Sequence, residues 1–230
     1  MAWRTPTRHL RISRGEPVLT GQSSVSVTTA AGWLRRHRLA LLRIAILPII
    51  FLAVFTRPNW SPQSWTAFGI EAIGFLVIVA GLWLRLWSIL YIGGRKSREL
   101  VMEGPYSLCR HPLYTGTFLL SIGAGLCFEN PPMVMATLLI VIPVHAVTAG
   151  IEEHRLSGKF GEVYTNYAEK RPRFVPDFRQ FRSVEWVKVS TRSIHRIMFE
   201  TVCVLLLPIA EDLIEMLHAR EVVPVLWHFL

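Results

Sequence analysis

The run from Ala67 to Tyr91 constrains this chain more than any other stretch. It is apolar almost throughout, with Glu71 near its start and Arg85 in its last third. About 20 consecutive apolar residues cross the hydrocarbon core of a bilayer. In lipid, backbone polar groups have to be satisfied within the segment, which selects a helix. Shorter apolar runs cover Leu39–Phe55, Tyr114–Phe128 and Met133–Ile151. A fifth, Ile197–Leu217, is interrupted by Glu200, Pro208, Glu211 and Asp212. The pattern predicts an all-α integral membrane protein, a bundle of about five transmembrane helices. The fifth segment also fits a re-entrant or interfacial helix. A hydrophobic fraction of 51% and a mean hydropathy of +0.37 agree, with only 18% charged residues.

A net charge of +9 would suit a nucleic-acid partner. Here, however, the basic residues fall between the apolar runs rather than along one stripe, which is the positive-inside pattern. No nucleic-acid partner is expected. Residues 1–38 read as a basic, disordered cytoplasmic tail ending in Arg35-Arg36-His37-Arg38, and 39–92 hold the first two spans. Residues 93–176 contain spans three and four with two polar loops, and 177–230 form a C-terminal extension. The turns at Thr56–Trp65 and Glu129–Pro132 hold only Arg57. The N-terminus and both long basic segments are therefore expected on the cytoplasmic face. The late start of the first apolar run does not fit a signal peptide. Cys109, Cys127 and Cys203 lack metal-ligand spacing, so neither a metal site nor a disulfide framework is expected. Oligomeric state is not readable.

Two polar groupings fall on the predicted cytoplasmic face. The first runs from Gly104 to Gly116 and packs Tyr106, Arg110, His111, Tyr114 and two prolines between apolar runs. Such residues are costly in lipid unless they line a polar cavity. The second starts at Glu152-Glu153, where span four leaves the membrane. The tight turn at Glu129–Pro132 makes spans three and four an antiparallel hairpin, which brings His111 and Glu152 toward one cavity. Histidine, arginine, tyrosine and glutamate suit a zwitterion. The amino-acid end of S-adenosylmethionine is one, and its sulfonium adds a second cation. With no strands expected and no glycine-rich fingerprint, a soluble dinucleotide-type site is excluded. Leu156, Phe160, Tyr164 and Tyr167 are spaced for one face of a helix over Glu152–Glu169. Arg85 fits either a functional intramembrane site or a side chain snorkelling to the headgroups beside Trp83 and Trp87.

The ordered motifs Gly104-Pro105-Tyr106, Arg110-His111-Pro112-x-Tyr114-x-Gly116, Glu152-Glu153-x-x-Leu156, Phe160-Gly161-x-x-Tyr164-x-x-Tyr167 and Pro172-Arg173-x-x-Pro176 resemble the isoprenylcysteine carboxyl methyltransferase family and the related phospholipid N-methyltransferases. The resemblance implies an integral-membrane enzyme moving a methyl group from S-adenosylmethionine to a lipophilic acceptor, a prenylcysteine or a lipid. It implies a cytoplasmic cofactor pocket formed by the loops after spans two and four. It sets the donor against Arg98, Glu99, Leu100, Val101, Tyr106, His111, Pro112, Leu113, Tyr114 and Glu152. In that assignment His111 holds the methionyl carboxylate and Glu152 the ammonium. Arg98 fits ordinary loop solvation equally well. One position departs from the pattern. Where isoprenylcysteine enzymes carry an acceptor-facing arginine, one turn before the glutamate pair, this chain has Thr148. His145 is on a similar face and fits either a replacement or a core histidine. A carboxylate acceptor needs no base, whereas an amine acceptor would call on His145 or Glu153. The competing readings are an NADPH-dependent reductase of the sterol type, which shares Arg-His-Pro-x-Tyr, and a non-enzymatic membrane scaffold or transporter.

Overall fold

The computed structural model describes residues 47–58, 64–95 and 98–229. The N-terminal tail, the start of the first apolar run and most of the first turn lie outside the described residues. Helix α1 is seen over 47–55 and leads into strand β1, Thr56–Pro58. Helix α2, Trp65–Ile92, starts where the Ser64 hydroxyl accepts the Ala67 N–H at 3.1 Å. At about 1.5 Å per residue its 28 residues overreach a hydrocarbon core of about 30 Å.

Helix α3, Pro112–Cys127, packs antiparallel on α2 through small residues at matched heights. A Cβ added to Gly123 would sit 2.8 Å from the Gly74 carbonyl oxygen, and one on Gly74 would sit 2.7 Å from the Cys127 nitrogen. Backbone meets backbone there, as small residues allow between helices in lipid. The turn after α3 ends at Asn130, which is 2% exposed. Its Oδ1 accepts the Met133 N–H at 2.9 Å to cap α4, and its amide donates to Thr56 Oγ1 at 2.6 Å, tying the turn to β1.

Helix α4 runs unbroken from Pro131 to Phe160. The helix expected over Glu152–Glu169 is therefore two pieces: its first half continues span four, and Glu162–Lys170 forms a separate α5. The break is Gly161, at φ 54° and ψ −131°, a conformation open to glycine and strained for other residues. Among the described residues, α2 and α4 are the helices long and apolar enough to cross a membrane. At 16 residues α3 is shorter than the usual spanning length.

The fifth apolar run is also two helices, α6 (Thr191–Leu205) and α7 (Leu207–Ala219). Pro208 lacks the N–H that would continue the ladder across the junction. Helix α6 climbs along α2, and α7 packs against α3. Ser193 packs beside Gly93, Glu200 meets Arg85, and Val204 joins Ile78, Leu82 and Cys127 in a core cluster. At the far end Glu215 pairs with Arg57 at 3.3 Å and His218 Nε2–H donates to the Val54 carbonyl at 2.8 Å. The expectation of a strand-free chain needs one correction. Strand β2, Trp227–Phe229, pairs in parallel with β1, and Leu226 N–H donates to the Phe55 carbonyl at 2.9 Å. Three residues each are too few to alter the helical class.

Arg85 does not snorkel. Its guanidinium bonds Glu200 at 2.5 Å and the Thr117 hydroxyl at 2.6 Å, joining α2, α6 and α3.

Candidate functional site

The site grows from the connection between α2 and α3. Gly104–Ser107 forms a 3₁₀ turn whose residues are all buried. The segment that follows is held by backbone pairing to the chain after α5. Arg110 N–H donates to the Pro172 carbonyl at 2.9 Å, His111 N–H to Arg173 at 3.0 Å, and Asp177 N–H to Leu108 at 3.0 Å. The stretch 181–187 then closes over the 3₁₀ turn. Gly104 N–H donates to the Arg182 carbonyl at 2.7 Å, the Tyr91 and Ser183 hydroxyls are 2.9 Å apart, and Val184 and Val187 pack on Tyr91, Val101 and Tyr106.

His111 is the residue before α3, and Pro112 opens the helix where its missing N–H costs nothing. One turn on, the Tyr114 ring stacks on the His111 ring, with centroids 5.3 Å apart and planes within 6°. The two glutamates of α4 face these rings differently. Glu152 accepts the Tyr114 hydroxyl at 3.0 Å. Glu153 meets His111 Nε2 at 2.9 Å, Arg110 at 3.2 Å, and both Nε and Nη2 of Arg173 at 3.0 Å.

This network sets the charges. Burial would raise the Glu153 carboxyl, but hydrogen bonds from Arg173 and His111, with the Arg110 charge, outweigh it and hold the group below the usual carboxylate range. Burial lowers the His111 imidazole, against the raising influence of Glu153 and Glu152. His111 is therefore neutral at pH 7. Its bond to an ionised carboxylate assigns the proton to Nε2, leaving a lone pair on Nδ1. That lone pair lies 3.9 Å from Glu152 Oε2. Burial also pushes Tyr106 well above the usual phenol range, so it stays a neutral donor. Among the described residues, its hydroxyl is buried without a hydrogen-bond partner.

One cavity gathers most of these groups. Of the residues expected around the donor, Glu99, Leu100, Val101, Tyr106, His111, Leu113, Tyr114 and Glu152 line it. Pro112 is buried in the helix start, and Arg98 faces a different cavity. His145 and Glu153 do not line it. His145 stands behind Tyr114, edge-on at 4.8 Å, and also meets Phe118 edge-on at 5.7 Å. Its Nδ1–H donates to the Val141 carbonyl at 2.8 Å, which leaves the lone pair on Nε2.

Sequence reasoning missed six lining residues: Ile92, Arg110, Arg155, Leu156, Tyr164 and Tyr167. Signals existed for most. Arg110 adjoins His111, Arg155 and Leu156 follow Glu152 at helical spacings of three and four, and the tyrosines carried the one-face pattern. Among the described residues, no group of three or more His, Cys, Asp or Glu side chains is arranged to hold a metal ion.

The described residues thus form a helical chain with two membrane-length helices and a histidine–carboxylate cavity toward one end of them. The phospholipid methyltransferase family matches residues 70–163. The chain is 32% identical over 189 residues to the nickel-cobalt-cadmium resistance protein NccN of Alcaligenes xylosoxydans xylosoxydans, across 82% of this chain and 88% of that one. It is 29% identical to protein-S-isoprenylcysteine O-methyltransferase B of Arabidopsis thaliana, across 65% of this chain and 79% of that one. It is also 29% identical to the cobalt-zinc-cadmium resistance protein CzcN of Cupriavidus metallidurans, across 85% and 93%. No solved structure matches it. The chain belongs to the phospholipid and isoprenylcysteine methyltransferase family and is a membrane methyltransferase.

Proposed function

We propose that the protein is a multi-pass membrane enzyme that transfers methyl from S-adenosylmethionine to a lipophilic acceptor of the isoprenylcysteine type, with its donor pocket open to the cytoplasm. In this reading residues 93–176 are the methyltransferase core, and α6 with α7 is a kinked fifth span. The contact of α6 with Gly93 at the end of α2 and that of α7 with Val54 of α1 support that count.

One observation carries the donor assignment. The His111 Nδ1 lone pair and the Glu152 carboxylate converge at 3.9 Å on the cavity that also receives the unpartnered Tyr106 hydroxyl. Two acceptors so placed suit an ammonium, and a buried phenol suits a neighbouring oxygen or nitrogen acceptor. His111 is thereby reassigned from the carboxylate to the ammonium, because a neutral imidazole is a weak clamp for an anion. The carboxylate falls to Arg155, a cation on the same wall one turn beyond Glu152.

S-adenosylmethionine supplies a methyl group already activated on a sulfonium, so alignment of the two reactants does much of the work. Glu152 and His111 orient the donor. Glu153, held by Arg110 and Arg173, fixes the His111 ring and its tautomer, and its lowered carboxyl range makes it a poor base. His145 lies one ring away and would orient the acceptor. An imidazole at His145, edge-on to Tyr114, also supports a second reading, transfer to a phospholipid amine that first has to lose a proton.

Calorimetric titration of the purified protein with S-adenosylhomocysteine tests this. Saturable binding is expected, weakened at least ten-fold by Glu152→Ala. NADPH binding without a response to S-adenosylhomocysteine would overturn it. Methyl transfer to prenylcysteine analogues, compared with host lipid extracts, decides the acceptor.

A further inference from the structure

We propose that a second cavity, beside the donor pocket, binds the phosphate-bearing headgroup of an anionic phospholipid. The cavity measures about 540 Å³ and lies where α2 ends and α6 begins. Arg95, Arg98 and Lys188 line it with Trp186, Ser190 and Gly94, and among the described lining residues Glu99 is the one carboxylate. Arg95 is fixed in place, because its Nε and Nη2 donate to the Tyr91 carbonyl at 3.0 and 2.7 Å. Glu99 offsets part of that charge from 3.8 Å, and Arg98 and Lys188 remain as exposed cations at the rim. Guanidinium and ammonium donors with a hydroxyl are the chemistry of phosphate recognition.

The surroundings favour a lipid over a dissolved phosphate. The cavity caps a 28-residue apolar helix that overreaches the hydrocarbon core, which sets it at headgroup depth. Trp186 is 85% exposed on its wall, Phe178 is 72% exposed on the same connecting segment, and Trp83 is 61% exposed lower on α2. Aromatic rings in such numbers belong at the boundary between acyl chains and headgroups. A soluble anion would leave them in water. Glu99 lines both cavities, so the bound headgroup sits one side chain from the donor pocket.

This inference rests on α2 spanning the membrane and stands apart from the donor assignment. The test titrates full-length protein in neutral maltoside micelles with fluorescent phosphatidylglycerol. S-adenosylhomocysteine affinity is measured in parallel. Saturable binding is expected, with at least a five-fold preference over phosphatidylcholine. Lys188→Glu should weaken it at least five-fold and Trp186→Ala should weaken it too, both with S-adenosylhomocysteine affinity unchanged. Equal affinity for the two lipids, or no effect of Lys188→Glu, would overturn the proposal. So would full displacement by inorganic phosphate at the lipid's own concentration, which would mark a soluble-anion site. Lipid binding with no S-adenosylhomocysteine response in the unmodified protein would sink the donor reading and leave this one standing.

Discussion

Glu152 and Glu153 are adjacent in sequence yet do different work, because successive helical residues point about 100° apart. Glu152 looks into the cavity, while Glu153 is enclosed by two guanidiniums and an imidazole. Glu153→Gln would leave Arg110 and Arg173 facing a neutral partner. Breaking a buried pair costs about 3–5 kcal/mol, and partial exposure of Arg173 puts this case near the lower end. Thermal melting should fall accordingly, and donor affinity should fall with it as the His111 ring loosens. Acid should act on the same network. A histidine whose folded value is lowered loses stability as pH drops below its usual value of about 6.5. A carboxylate held low keeps its contribution above about 4.5 and loses it as pH falls further, through its folded value. Melting temperature should therefore decline in two stages below about pH 6.5, and Glu153→Gln should abolish the lower stage. An unchanged lower stage in that variant would assign it to other carboxylates. Tyr106→Phe removes one unpartnered hydroxyl without changing the packing. Stability should hold or rise slightly, while donor affinity drops by up to about ten-fold, the worth of one hydrogen bond.

Among the elements, the pairing of α2 with α3 is the tightest. A methyl group at position 123 would collide with the Gly74 carbonyl and the Ile78 backbone nitrogen, both at 2.8 Å, and neither can rotate away. Gly123→Ala should cost about 1–3 kcal/mol by overpacking. Gly158→Ala is the matched control, since nothing lies within 4 Å of its added carbon and alanine favours the helix of α4 by up to about 1 kcal/mol. Equal melting temperatures for the two variants would refute the close-packing account. Gly116, Gly123 and Gly125 of α3 stand in the sequence, but their partners do not, because register between helices depends on tertiary packing. The break at Gly161 was hidden for a different reason. The apolar spacing of Leu156, Phe160, Tyr164 and Tyr167 continues across it, so periodicity alone reads one helix.

At the scale of the whole molecule, the sequence was informative wherever chemistry is expensive. Polar and rigid residues between apolar runs marked the cavity, since lipid leaves few places for them, and eight of the ten expected donor contacts do line it. Roles within the cavity were less legible. The neutral state of His111 depends on burial and on Glu153, which no local pattern encodes. Likewise, Arg85 meets Glu200 across more than a hundred residues of chain, and β1 meets β2 across a still longer interval. Such pairings emerge only once the helices are assembled.

Because α4 runs without interruption from the Asn130 cap past Glu152, the membrane segment and the acidic wall of the pocket form a single rod. Pro143 removes one hydrogen bond from its middle, yet the helix continues past it, so over about 45 Å a movement at one end is carried toward the other. If the bilayer thickens or thins, it tilts to match, and a tilt at the apolar end swings the carboxylate at the other. Turnover should thus vary with acyl-chain length in reconstituted vesicles, peaking at one thickness, while the acceptor and donor concentrations stay fixed. The enzyme would carry a built-in gauge of the membrane it works in.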